Sequence, residues 1–198
     1  MSLRIGQGFD AHRFASRLNT DPSPDSGARS APWGSASSED QRGSEDRPGG
    51  GDGSITPLRT LRLGLLEWPG LPPLDGHSDG DVIAHALVDA LAAAAHLGDI
   101  GQLFGTGRPE FAGAESVVFL RETVGAVRQA GFTVVNATVQ LIGNRPKLAT
   151  RRKEMEDGIG QMLGAPVSVT ATTSDGMGFT GRGEGLAALA VCLLRAGQ

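Results

Sequence analysis

Asp10, His12 and His85 are the residues of this sequence best suited to chemistry. Asp10 and His12 stand two apart, directly after residues 3–9, a segment that opens like a strand, and strand side chains two apart point to one face. Both can therefore reach one ion. His85 lies where Val82, Ile83, Ala86, Leu87, Ala90, Leu91 and Ala94 recur at helical spacing, so it projects from one side of a helix and can supply a third ligand. One carboxylate oxygen and two imidazole nitrogens suit zinc. Three protein ligands leave a fourth tetrahedral position for substrate or water, the arrangement of catalytic rather than structural sites.

Asp81, His85 and Asp89 fall at i, i+4 and i+8, one stripe of that helix. A carboxylate beside a ligating imidazole can fix its tautomer, a role open to Asp81 or Asp89. The plainer reading makes Asp81 the helix cap and leaves Asp89 in solvent. A second constellation, residues 171–185, combines the hydroxyls of Thr172, Thr173 and Ser174, the carboxylate of Asp175 and a dense glycine pattern. With Lys147 it could cradle phosphate oxygens through backbone amides and a point charge. The alternative is an ordinary glycine-rich turn. No Walker pattern is present, and Gly6-Gln7-Gly8 is not completed as G-x-G-x-x-G.

These groups must be positioned by a chain of 198 residues, 39% hydrophobic and 20% charged, enough for one domain with a real core. Between 19 and 54 there is no Leu, Ile, Val, Phe or Met, so this insertion cannot offset its ordering entropy by burial, and disorder is expected. Its seven acidic and three basic residues carry the whole formal charge of −4. The remainder is neutral, without the basic excess of a nucleic-acid or anionic-membrane surface. No apolar run approaches a membrane span and the N-terminus leads straight into the strand-like segment, so a cytoplasmic protein is expected. Cys192, the single cysteine, sits in an apolar run and reads as a buried structural thiol.

Periodicity predicts a second strand over 58–68, a helix from Asp81 to His96, a loop through Gly101, a helix over 116–129 and a strand over 132–142. A helix within 147–163 and a strand from Val167 to Ala171 come next. Residues 186–194 fit either a helix or a buried strand. Strands interleaved with helices imply an α/β (α+β) fold, a mixed sheet covered by helices.

RIGQGFDAHRF at 4–14, GHSDGDVIAHALVDAL at 76–91, LGDIG at 97–101, RPKL at 145–148 and ATTSDGMGFTGRGEG at 171–185 together make the chain resemble the 2-C-methyl-D-erythritol 2,4-cyclodiphosphate synthases of the non-mevalonate isoprenoid pathway. The resemblance covers the whole chain outside the insertion. It implies a homotrimer with active sites between subunits, and makes 186–194 a strand. Asp10, His12 and His85 match the zinc ligands, and Asp175 matches the carboxylate reaching a second ion, Mg²⁺ or Mn²⁺. His77 and Ser78 match the loop over the methylerythritol phosphate, Asp99 and Gly101 the ribose contacts. Gly143 to Leu148, with Lys147, Thr172 and Thr173, match a cytidine and phosphate pocket supplied by the adjacent subunit. Phe179, Arg182 and Glu184 match positions near the threefold axis, where an isoprenoid diphosphate binds in such proteins. Catalytic roles fall to Lys147, Thr172, Thr173 and Asp89. His96 matches nothing functional.

The implied reaction is a phosphorus-oxygen lyase step: the 2-phosphate of 4-diphosphocytidyl-2-C-methyl-D-erythritol 2-phosphate closes a cyclic diphosphate and expels CMP. Residues 104–111 depart from the family's usual F-P-D-T-D-P, with Thr106 and Arg108 where aspartates are common, and Ser174 and Asp175 replace the usual Thr and Glu. Two rivals remain: a metal-dependent nucleotide phosphohydrolase, and a trimeric isoprenoid-diphosphate-binding module without turnover.

Overall fold

The computed structural model describes residues 2–15, 60–76, 78–105 and 114–197. The insertion at 19–54, His77, Thr106 and Arg108 lie outside the described residues.

Four strands form one sheet in the order β1 (Leu3–Arg13), β6 (Gly185–Ala196), β4 (Phe132–Ile142) and β5 (Val167–Thr172). The β1/β6 and β6/β4 pairs are antiparallel and β4/β5 is parallel, so the sheet is mixed. β1 runs past residue 9 to Arg13, which puts Asp10 and His12 inside the strand itself. The ambiguous run is β6. Its backbone is paired on both edges, to β1 and to β4, a strand pairing that apolar composition alone does not reveal.

The helices are α1 (Val82–Ala95), the short α2 (Ile100–Phe104), α3 (Ser116–Gln129), α4 (Arg152–Leu163) and a single turn, α5 (Gly178–Gly181), inside the glycine-rich stretch. α1 packs on β1 and β6, and twelve of its fourteen residues are buried. Its fit depends on Gly6 and Gly8. A Cβ on either would stand less than 3.0 Å from α1 backbone atoms, at Ala90 and Ala94 for Gly6 and at Ala86 and Ala90 for Gly8. The even-numbered residues of β1 therefore face α1, and Asp10 and His12 continue that row beyond the glycines. Cys192 lies in this interface with Sγ donating to Ala90 O at 3.2 Å, and burial pushes its thiol up to about 11, in keeping with an inert thiol.

Residues 58–68 contain two strands where the sequence suggests one: β2 (Leu61–Leu63) and β3 (Leu66–Trp68) form a hairpin separate from the main sheet. The turn at Gly64 and Leu65 has φ of 60° and 65°, the left-handed geometry of tight hairpin turns. Asp81 holds it. The Asp81 carboxylate accepts from Gly64 N at 2.8 Å and Leu65 N at 2.7 Å while capping α1 through Ile83 N at 3.1 Å and Ala84 N at 3.2 Å. One 1%-exposed side chain thus satisfies four backbone donors of two elements. Asp81→Ala is expected to cost about 3–5 kcal/mol, from the lost cap and the orphaned turn donors. Urea unfolding checks this through a lower midpoint at unchanged slope, and a loss below about 1 kcal/mol would contradict it.

Among the described residues no helix packs on the opposite face of the sheet. Ile5, Leu193 and Asn136 form one row there, and Phe9, Leu189, Gln140 and Thr170 another. Leu3 is 60%, Ile5 74% and Phe9 55% exposed. Among the described residues no helix is long and apolar enough to cross a membrane.

Candidate metal centre

The close seating of α1 on the glycines of β1 brings together residues 75 positions apart. His85 Nδ1 lies 3.0 Å from Asp10 Oδ2, and His12 Nε2 lies 3.2 Å from the same oxygen. All three ligand atoms fall within 4.8 Å of one another, and among the described residues this is the one such grouping. The imidazole rings meet edge to face with centroids 5.6 Å apart, and Phe119 of α3 closes the far side of His85 at 6.2 Å.

The donor set fits a divalent ion. Zinc bonds of about 2.1 Å in tetrahedral geometry separate neighbouring donors by roughly 3.4 Å, so the observed 3.0 and 3.2 Å need only a small outward shift. The outer ring edges are already engaged: His85 Nε2 by Ser78 Oγ at 3.0 Å and Ser116 Oγ at 2.9 Å, His12 by the backbone of Asp75. Each remaining imidazole nitrogen faces the carboxylate.

Burial acts to raise the Asp10 pKa, but hydrogen bonds and charge from His12, and from His85 as a doubly protonated imidazolium, outweigh it and hold the carboxyl well below its usual range. His12 is raised from 6.5, chiefly by its hydrogen bond to Asp10 and against its own partial burial. The depressed carboxylate stabilises the metal-free fold above its unfolded value of 3.8, and this is lost as pH falls through its folded pKa. The raised imidazole contributes fully below 6.5, and this is lost as pH rises through its folded pKa. The pair is therefore most stabilising between those two values. A metal must displace the His12 proton, so zinc affinity is expected to fall about tenfold per pH unit below the raised His12 pKa. Chelator competition between about pH 5.5 and 8 measures this; a flat profile would exclude His12 as a ligand.

Asp89 is one turn further along α1, and its Oδ1 accepts from Ile100 N at 2.8 Å. Burial raises its pKa, the Ile100 N–H opposes that, and the carboxylates of Asp99 and Asp10 push it further up. Asp89 thereby fastens the start of α2 beside the cluster. Asp99 caps α2 through Gln102 N at 2.8 Å, and Gly101 lies within it.

The second constellation lies elsewhere on the same chain. Ala11, Ala187, Ile142 and Thr172 occupy one row across β1, β6, β4 and β5, so Thr172 is three strands, or roughly 14 Å, from the β1 residue between Asp10 and His12. It also belongs to the helix-free face. Thr172, Thr173, Asp175 and Lys147 are exposed, with Thr173 Oγ1 donating to Asp175 Oδ1 at 3.0 Å. Gly143 N donates to Thr172 O at 3.0 Å, while the Leu148 side chain is 2% exposed in the core, leaving its backbone for any ligand. The fork of Arg182 is occupied by Glu184, with Nε to Oε1 at 2.6 Å, beside a 40%-exposed Phe179. One copy of the chain does not bring the two constellations together.

Asp79 and Ser116, which meet around His85, escape any reading of the sequence by spacing. They are 37 residues apart, and the only local signal is a hydroxyl at the first position of α3.

Sheet, helix cover and cluster define an α/β protein with a metal-type Asp-His-His centre at the end of its first strand. The chain belongs to the YgbB family, whose model matches residues 53–195. That match begins at the last residues of the insertion, so it includes His85 but not β1. The chain is 52% identical over 140 residues to the 2-C-methyl-D-erythritol 2,4-cyclodiphosphate synthase of Acidothermus cellulolyticus, covering 71% of this chain and 87% of that protein. It is 50% identical over 167 residues to the bifunctional enzyme IspD/IspF of Clavibacter michiganensis, covering 84% of this chain; it spans 40% of that longer protein. A solved 2C-methyl-D-erythritol-2,4-cyclodiphosphate synthase in its CDP-bound form is 31% identical and superposes with a TM-score of 0.70, covering 97% of this chain and 100% of that one.

Proposed function

We propose that the chain converts 4-diphosphocytidyl-2-C-methyl-D-erythritol 2-phosphate to 2-C-methyl-D-erythritol 2,4-cyclodiphosphate and CMP, in cytoplasmic isoprenoid precursor synthesis. The observation that carries this reading is the Asp10–His12–His85 cluster in a member of a family whose relatives bear the synthase name. An oxygen of the 2-phosphate forms a bond to the β-phosphorus, the bond from that phosphorus to the α–β bridging oxygen breaks, and CMP departs with the electron pair. The nucleophile is already anionic, so no strong general base is needed. The protein's task is to align the groups and offset the repulsion among phosphates. A bound divalent ion supplies Lewis acidity at the diphosphate.

Asp10, His12 and His85 hold zinc or another divalent ion, and Asp175 serves a second, Mg²⁺ or Mn²⁺. Lys147, Thr172 and Thr173 orient the diphosphate. Gly143 to Leu148 receive the cytidine, Asp99 and Gly101 the ribose, and His77 and Ser78 the methylerythritol phosphate. Asp89 acts through the α2 contact that sets Asp99. The separation of the two constellations within one chain supports a homotrimer with its sites between subunits. The helix-free face with Leu3, Ile5 and Phe9 offers the apolar surface for that assembly. An isoprenoid diphosphate on the threefold axis would have to displace Glu184 from Arg182.

Phosphorus NMR of the protein with this substrate and Mg²⁺, with and without a zinc chelator, tests the reading. Cyclic diphosphate and CMP that vanish on chelation support it. Non-cyclic hydrolysis products would identify a phosphohydrolase, and unchanged substrate in a metal-loaded protein would identify a binding module. For the assembly, sedimentation is expected to give three times 20.4 kDa for the native chain and a monomer for Ile5→Glu, and a monomeric native chain would overturn the trimer.

A further inference from the structure

We propose that Ser116, directed by Asp79, is a positioning residue that holds His85 in the one tautomer able to bind a metal; the inference rests on the metal-site reading above. Ser116 is fully buried and opens α3, and Glu115, at the cap position, makes no side-chain capping bond. The capping is done from another loop. Asp79 Oδ2 accepts from Ser116 N at 3.0 Å, and Asp79 Oδ1 accepts the Ser116 hydroxyl proton in a close contact.

The direction of these hydrogen bonds sets the protonation of His85. A carboxylate only accepts, so the single proton of Ser116 Oγ is committed to Asp79. Toward His85 Nε2, 2.9 Å away, Ser116 can then only accept. Neutral His85 therefore carries its proton on Nε2 and turns the bare Nδ1 toward Asp10 Oδ2 at 3.0 Å. Two lone-pair groups aimed at each other repel unless a cation lies between them. The tautomer thus prepares the site for a metal.

Ser78 cannot do this alone. Its Oγ is 3.0 Å from the same Nε2 and accepts from Gly80 N at 3.4 Å, but among the described residues no carboxylate commits its proton. Without Ser116, the Ser78 hydroxyl is free to donate to Nε2, moving the imidazole proton to Nδ1, where it bonds Asp10 and closes the site. Asp79 and Ser116 thereby couple the loop before α1 and the start of α3 to a ligand on α1.

The test uses the full chain with Ser116→Ala and Asp79→Asn. Asparagine keeps the volume of Asp79 but replaces one acceptor oxygen by a donor: its Oδ1 still accepts from Ser116 N, while its Nδ2 donates to Ser116 Oγ and so frees that hydroxyl proton for His85 Nε2. Nitrogen-15 NMR of the metal-free proteins reads the His85 tautomer, and chelator competition reads zinc affinity. Native protein should show His85 protonated on Nε2. Both variants should show the Nδ1-protonated form and bind zinc about 10–100-fold more weakly. A purely structural cap would lower the melting temperature but leave the tautomer unchanged. His85 remaining protonated on Nε2 in both variants, with zinc affinity within about twofold of native, would overturn the proposal. Should Ser116→Ala fail to fold, Asp79→Asn decides alone. If the native chain binds no zinc, the metal-site reading fails, while the tautomer measurement still decides the role of Ser116.

Discussion

His85→Ala is expected to lower zinc affinity by about a thousandfold or more, well beyond the 10–100-fold that loss of a ligand's hydrogen-bond partner costs. His85 is 8% exposed, its Nδ1 faces Asp10, and its Nε2 is tied to two hydroxyls, so among the described residues no neighbouring group is placed to take its position. Cyclic diphosphate formation should fall by a factor on the order of 10³, the scale on which removal of a preorganised electrostatic group acts in a water-poor site. Metal content per chain and phosphorus NMR measure the two effects together. Full turnover by a zinc-free His85→Ala protein would remove this cluster from the chemistry. Circular dichroism should be unchanged, since alanine favours the helix and the apolar contacts of α1 to β1 and β6 remain.

Gly8→Ala is the second large effect, and it acts through the backbone. Its methyl group would stand less than 3.0 Å from Ala86 O, Ala90 N and the Asp89 side chain, so α1 must move off β1. Overpacking of this kind costs about 3 kcal/mol or more when no flexible side chain can yield, or roughly 6–12 °C in melting temperature at this chain length. The same displacement carries His85 away from Asp10, so zinc affinity should fall in parallel although no ligand has changed. Gly158 provides the contrast. It lies in α4, where a methyl group would meet nothing within 4 Å, and Gly158→Ala should be neutral or stabilising by about 0.5–1 kcal/mol. Differential scanning calorimetry separates the two, and a Gly8→Ala protein as stable as native would show that α1 can be reseated freely.

Local periodicity was enough for α1, because an apolar stripe at helical spacing behind a capping aspartate specifies a helix with few alternatives. It was also enough to place Asp10 and His12 on one face, since the strand repeat of two depends on nothing outside the strand. Residues 186–194 were different. Alanine and leucine satisfy both periods, and the choice fell to β1 and β4, which pair with both edges of β6. The hairpin at 61–68 depends on Asp81, 16 and 17 residues from the amides it holds, so no nearby turn residue announces it. The approach of His85 to Asp10 and the closure of Asp79 on Ser116 span 75 and 37 residues. The sequence by itself determined which groups could bind a metal and which elements carry them. Only the tertiary structure decided which nitrogen of His85 faces the carboxylate, because that depends on hydrogen bonds from elements that meet only when the chain has folded.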